Sequence, residues 1–216
     1  MKRNSEISTK WSPNFAYAMG LLATDGSLSI DGRHFDLTSK DKEQLLNFMR
    51  CLNINVKIGT KISTHTGKRT TRIQFGSVKL YKFLLGAGFS PAKTKIIGKI
   101  EIPLTYFFDF LRGHHDGDGC FYSYWDPRWK KSYMFYVVFA SASRKHIDWI
   151  KEELGKLISV KGHIVCSKFG NVHQLRFAKS ESLKILKKMY YDKNVICLSR
   201  KRRKIEKALS VINKTL

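Results

Sequence analysis

The chain has 216 residues, 43% of them hydrophobic, with 40 Lys and Arg against 17 Asp and Glu, a formal net charge of +23. That length buries one good-sized core or two closely fused small ones, and so large a cationic excess calls for a polyanionic partner rather than a neutral or basic one. No apolar run reaches the roughly 18 residues of a membrane span, and MKRNSEISTKWS lacks the apolar stretch of a secretory signal, so the expectation is a soluble, intracellular protein that is not secreted.

In chain order the first element is a helix over NFAYAMGLLAT, capped by Ser12, with Pro13 at its first position and Asp25-Gly26 at its end. A short alternating hairpin, SLSIDGRHFDL, follows and turns at Asp31-Gly32. Next come an amphipathic helix from a Ser39 cap, a second hairpin (VKIGTKIS with TRIQF) and a helix over VKLYKFLLGAGF.

The same succession then starts again. Thr105 reads as a cap, YFFDFLRGHH as the helix, and Asp116-Gly117-Asp118-Gly119 as its end. Thirteen residues separate cap from aspartate in both copies, Ser12 to Asp25 and Thr105 to Asp118. Gly26 and Gly119 suit a left-handed residue closing each helix. A longer hairpin turning near Asp126-Pro127, a helix capped by Ser143, a hairpin of KGHIVCS with HQLRF, and a helix over SESLKILKKMYY complete the second copy. The fold class is α+β, and the repeats divide at 1–104 and 105–216. Cys51, Cys120, Cys166 and Cys197 form no C-x-x-C pair, which argues for buried free thiols over a zinc module.

Strand alternation sorts the side chains into two faces. Val56, Ile58 and Ile62 share one face, and Lys57, Lys61 and Ser63 the other. Ile73 and Phe75 oppose Arg72 and Gln74, as Leu175 and Phe177 oppose Gln174 and Arg176. A polar sheet face is ordinarily just solvated. Arg and Gln are also the side chains that bond bidentately to guanine and adenine edges, and the net charge favours that reading. Tyr122, Tyr124, Trp125 and Trp129 of the long hairpin either touch bases and sugars or pack its tip.

The two helix ends, AMGLLATDG at 18–26 and LRGHHDGDG at 111–119, resemble the LAGLIDADG motif, and the chain from Ser12 to about Lys204 resembles the LAGLIDADG homing endonucleases of the single-chain, two-motif type. The resemblance implies two pseudo-symmetric αββαββα repeats whose antiparallel sheets form a DNA-binding saddle. It also implies a monomer that cuts both strands of a long target in intron homing. By motif position Asp25 and Asp118 are then the catalytic metal ligands, joined by the backbone carbonyls of Thr24 and Gly117. Gly20 and Gly113 let the motif helices approach. The cofactor is Mg²⁺ or another divalent cation such as Mn²⁺ or Ca²⁺, which takes hard oxygen ligands. A basic residue beside each metal falls to Lys93 and Lys201, with Lys95 and Arg200 as rivals. Lys57, Lys61, Arg72, Gln74, Tyr122, Tyr124, Gln174 and Arg176 are the expected DNA contacts. Ala23, Thr24, His114 and His115 depart from the motif. The histidines with Asp116 have no counterpart among Leu21, Leu22 and Ala23, so they belong to the helix surface or interface rather than to a shared metal site.

Two other readings use the same fold. One is an intron maturase that binds RNA, which need not keep both aspartates. The other is a DNA-binding regulator that does not cut, for which the chain lacks a further helix-turn-helix segment. An intein is disfavoured because no splicing domain flanks the repeats.

Overall fold

A computed structural model describes residues 7–62, 67, 69–167 and 170–216; Ser63 lies outside them. The chain divides into two compact units, Met1–Lys93 with Ile100–Gly117, and Thr94–Lys99 with Asp118–Leu216.

In the first unit, helix α1 (Pro13–Thr24) starts where Ser12 Oγ accepts from the Phe15 N–H at 3.1 Å, with Pro13 in the first turn. Every residue from Phe15 to Ala23 is buried, so α1 is a central helix rather than an amphipathic one. Strands β1 (Gly26–Leu28) and β2 (His34–Ser39) form the first hairpin, α2 (Lys42–Leu52) follows, and β3 (Gly59–Ile62) and β4 (Arg69–Gly76) form the second. Helix α3 (Val78–Gly86) ends the first copy. The sheet order is β1-β2-β4-β3, all antiparallel. Phe35, Leu37, Ile73 and Phe75 fill the inner face, where Phe35 stacks on Phe75 and Phe48 of α2 leans on Phe75.

Helix α4 (Phe107–Gly117), which heads the second copy, also belongs to the first unit and packs along α1. Gly20 and Gly113 are the points of closest approach. A β-carbon on Gly20 would stand 2.1 Å from the Phe110 carbonyl oxygen, and one on Gly113 2.1 Å from that of Tyr17. Beside them lies a buried polar network. The Tyr17 hydroxyl donates to Asp116 Oδ2 at 2.8 Å, Arg112 pairs with Asp109 at 2.7 Å, and the Arg112 guanidinium lies over the Tyr17 ring. His114, His115 and Asp116 are buried at the interface rather than on the helix surface.

The second unit repeats the topology with β5 (Cys120–Trp125), β6 (Tyr133–Ser141), α5 (Arg144–Ile158), β7 (His163–Cys166), β8 (His173–Phe177) and α6 (Lys179–Met189), in sheet order β5-β6-β8-β7. Phe121, Phe135, Val137, Phe139, Leu175 and Phe177 form its inner face. Helix α7 (Ser199–Ser210) was not expected. Its sequence, SRKRRKIEKALS, is dominated by charge, and only Ile205, Ala208 and Leu209 are buried.

Several local expectations are corrected. Helix α4 begins at Phe107, and Thr105 sits in a preceding 3-10 turn (Leu104–Tyr106), because Pro103 permits a tight turn before the helix. Gly26 opens β1, and neither it nor Gly119 is left-handed; Asp25 ends α1 in an ordinary right-handed conformation. The cap of α2 is Asp41, not Ser39, whose hydroxyl instead accepts from the Asp41 N–H. Ser143 precedes α5, but its hydroxyl donates to the Ile97 carbonyl rather than capping. Strand β3 starts only at Gly59, so Val56, Lys57 and Ile58 precede it, and Ile62 has 58% of its surface exposed. Cys120 and Cys166 are exposed rather than buried, while Cys51 and Cys197 are intermediate.

Candidate metal centre and nucleic-acid interface

Asp25 stands at the C-terminal end of α1, its N–H bonded to the Leu21 carbonyl. A carboxylate there meets the negative end of the helix dipole, at a cost of ~0.3–1 kcal/mol unless a cation or donors compensate. One donor is Gln44 of α2, almost fully buried, whose Nε2 reaches Asp25 Oδ2 at 2.5 Å while Ser39 Oγ donates to Gln44 Oε1. Gln44 went unforeseen because only folding brings it to Asp25.

Lys93 lies in a 3-10 turn (Lys93–Lys95) with 4% of its surface exposed, and its ammonium donates to the Gly26 carbonyl at 2.6 Å. Gly26 is the residue after Asp25. In the second unit, Lys201 on α7 donates to the Gly119 carbonyl at 2.7 Å, and Gly119 is the residue after Asp118. Each unit thus anchors a lysine ammonium one peptide beyond its motif aspartate, by an element unrelated to that of the other unit. Lys95 and Arg200, the rivals, are both exposed.

Thr24 and Gly117 are the last residues of α1 and α4, so their carbonyls point beyond the helix ends. Thr24 Oγ1 turns back to the Gly20 and Leu21 carbonyls. A β-carbon on Gly117 would fall 2.0 Å from Thr24 Oγ1 and 3.0 Å from Asp25 Oδ2, so only glycine brings this backbone so close to the carboxylate. These groups fit a hard divalent cation. They are the oxygen donors that such an ion takes, and among the described residues no three His, Cys, Asp or Glu gather as a metal site. Asp118 is exposed.

Each sheet turns a polar face away from its helices. In the first unit Arg72, Gln74 and Lys61 share that face with Ser27, Asp36, Thr38 and Thr70, and Arg72 pairs with Asp36 at 3.4 Å. Lys57 is exposed but precedes the strand. In the second unit Tyr122, Tyr124, Gln174 and Arg176 share a face with Tyr136, and Gln174 Oε1 accepts from Arg176 Nη2 at 2.7 Å. Tyr122, Tyr124 and Tyr136 stack in a ladder. Burial pushes the Tyr122 hydroxyl above its ordinary pKa, and a hydrogen bond with Tyr136 does so for Tyr124, so both stay protonated donors at neutral pH. At the hairpin tip, Arg128 clasps Asp126 and lowers its pKa, while Trp125 and Trp129 are exposed. Among the described residues no helix is long and apolar enough to cross a membrane.

No protein-family model matches the sequence, and no curated protein matches it. Solved structures do match in shape. The meganuclease I-SmaMI bound to uncleavable DNA has a TM-score of 0.63 at 14% identity, over 94% of this chain and 93% of that one. I-DmoI in complex with DNA and Mn has a TM-score of 0.55 at 16% identity, over 83% and 97%. The N-terminal LAGLIDADG domain of WhiA has a TM-score of 0.55 at 17% identity, over 86% and 85%. Two αββαββα copies, two four-stranded antiparallel sheets of one strand order, and these likenesses establish that the chain has the LAGLIDADG fold.

Proposed function

We propose that this protein is a site-specific double-strand DNA endonuclease, using divalent metal held by Asp25 and Asp118. The observation that carries the reading is the paired arrangement of aspartate, glycine and lysine: Lys93 on the Gly26 carbonyl and Lys201 on the Gly119 carbonyl. Each ammonium is anchored one residue beyond a motif aspartate. The recurrence of this arrangement from dissimilar elements, a 3-10 turn and an α-helix, argues for a shared chemical need.

Asp25 and Asp118 would hold the ions, with the Thr24 and Gly117 carbonyls as further oxygen donors. Bound Mg²⁺ or Mn²⁺ supplies an activated water and charge stabilisation for the leaving 3′ oxygen. Gln44 fixes the rotamer of Asp25. Lys93 and Lys201 present positive charge where a phosphate gains negative charge in the transition state. The sheet faces, with a net charge of +23 behind them, supply duplex affinity and base contacts. DNA-bound chains among the structures of like shape support the choice of partner.

The test is to incubate the protein with a random duplex library and Mg²⁺ and sequence the cleaved ends. A defined site with both strands cut is expected. Asp25→Asn and Asp118→Asn should retain affinity for that site and lose cleavage. Tight sequence-specific binding without scission at any divalent metal would favour the non-cleaving regulator, and selective binding of folded RNA the maturase.

A further inference from the structure

The strand registers allow the two sheet faces to be compared position by position. In the first unit one cross-strand row reads Thr38, Arg72, Gly59, and the next reads Ser27, Asp36, Gln74. In the second unit the corresponding rows read Ala140, Gln174, Val165, and Cys120, Val138, Arg176, His163. The correspondence is fixed independently of the strands. Ser39 and Ser141 end β2 and β6, and each hydroxyl accepts the N–H of the residue two further on.

Two things change between the copies. The Arg–Gln order on the central strand is reversed, Arg72 and Gln74 against Gln174 and Arg176. The neighbours change in chemistry too: Asp36 becomes Val138, Thr38 becomes Ala140 and Gly59 becomes Val165. Arg72 therefore sits against a carboxylate, at 3.4 Å, whereas Gln174 sits between two aliphatic side chains, its Oε1 accepting from Arg176. Ala140, Val165 and Gln174 are all partly exposed.

We infer that the two faces read unlike base pairs, the second unit an A·T pair through its thymine methyl and the first a G·C pair. The inference rests on the proposal that these faces meet duplex DNA. In the major groove an A·T pair shows N7 and N6 of adenine to an amide such as Gln174. Beside them it shows the thymine C5-methyl, the one apolar group there, to side chains such as Ala140 and Val165. A G·C pair offers O6 and N7 to Arg72 and an N4 donor to a carboxylate such as Asp36.

Deoxyuridine in place of thymine removes the methyl and leaves the pairing intact. The protein is first used to select its duplex site, and base pairs whose preference relaxes in Gln174→Ala and in Arg72→Ala mark what each face reads. Uracil at the A·T pair marked by Gln174→Ala should weaken binding about fourfold, the effect of one buried methyl-sized group. Val165→Gly should start from weaker binding and show little additional loss with uracil. At the position marked by Arg72→Ala, G·C should be required. Equal affinity for thymine and uracil, or a G·C pair at the Gln174 position, would overturn this inference while leaving the endonuclease reading intact. Failure to select any duplex site would overturn both.

Discussion

Gly20 and Gly113 meet backbone to backbone: a β-carbon on Gly113 would stand 3.2 Å from the Cα of Gly20 and 2.1 Å from the Tyr17 carbonyl oxygen. The atoms in the way are main chain in a helix buried on every side, so they cannot swing aside as a side chain would. Gly20→Ala or Gly113→Ala should therefore cost at least the ~1–3 kcal/mol of an overpacked core. A chain of this size would then melt roughly 3–10 °C lower. Calorimetry checks this, and an unchanged melting temperature in both variants would refute the close approach.

Gly117→Ala should show a different balance. Its new methyl would press on Thr24 Oγ1 and approach Asp25 Oδ2, at the partly buried end of the helix pair rather than its middle. Cleavage should fall much more than stability, since displacing a ligand by ~1 Å is costly to chemistry that depends on geometry. Parallel melting and cleavage assays separate the two.

Lys93 and Lys201 should separate in stability but not in activity. Lys93 is buried and Lys201 only partly so, and both donate to a glycine carbonyl. Lys93→Met leaves a buried acceptor without its donor, a loss of ~1–3 kcal/mol, and Lys201→Met should cost less. If both ammonium groups serve the scissile phosphates, each variant should lose cleavage by roughly 10²-fold, the scale for a removed transition-state donor. Normal cleavage in both would leave these lysines a structural role only.

The thiols should react in a definite order. Burial pushes the Cys51 thiol up to about 12, so almost none is thiolate at pH 8, while Cys120 and Cys166 are exposed. Timed alkylation of the native protein, read by mass spectrometry, should label Cys120 and Cys166 first and Cys51 last. Early labelling of Cys51 would contradict its burial beside α4.

The first hairpin carries an acid-sensitive contact. Hydrogen bonds from the His34 ring and N–H, then the Arg33 N–H, lower Asp31 from 3.8 to about 2. A depressed folded-state pKa contributes stability that is fully present above about 4 and is lost as pH falls toward 2. Protection of the hairpin amides from hydrogen exchange should fall across that window in the wild type. In Asp31→Asn it should be lower above pH 4 and change less below it.

The order of elements was legible because amphipathic periodicity and duplication reinforce each other. Ile73 and Phe75, or Leu175 and Phe177, alternate with Arg and Gln so regularly that the inner faces follow directly. Legibility failed where local chemistry had two outlets. Ser39 and Ser143 read as caps, yet their hydroxyls serve a neighbouring loop and a distant carbonyl. Ile62 alternates correctly but is the last described residue of β3 and is exposed, so alternation did not yield burial. Gln44 reaches Asp25 through an orientation no spacing encodes, and α7 is too charged to announce itself.

The composition of the first unit bears on how the chain emerges from the ribosome. Residues 94–99 join the second unit before α4 returns to the first, so the first unit is discontinuous in sequence. Until residue 117 clears the exit tunnel, α1 lacks the helix that covers Tyr17 and Gly20. At synthesis rates of ~5–20 residues per second the wait for α4 after Lys93 is only a few seconds. During it a nascent chain with an apolar helix and a large positive charge stands beside ribosomal RNA, a setting in which chaperone capture and premature polyanion binding compete with completion of the core.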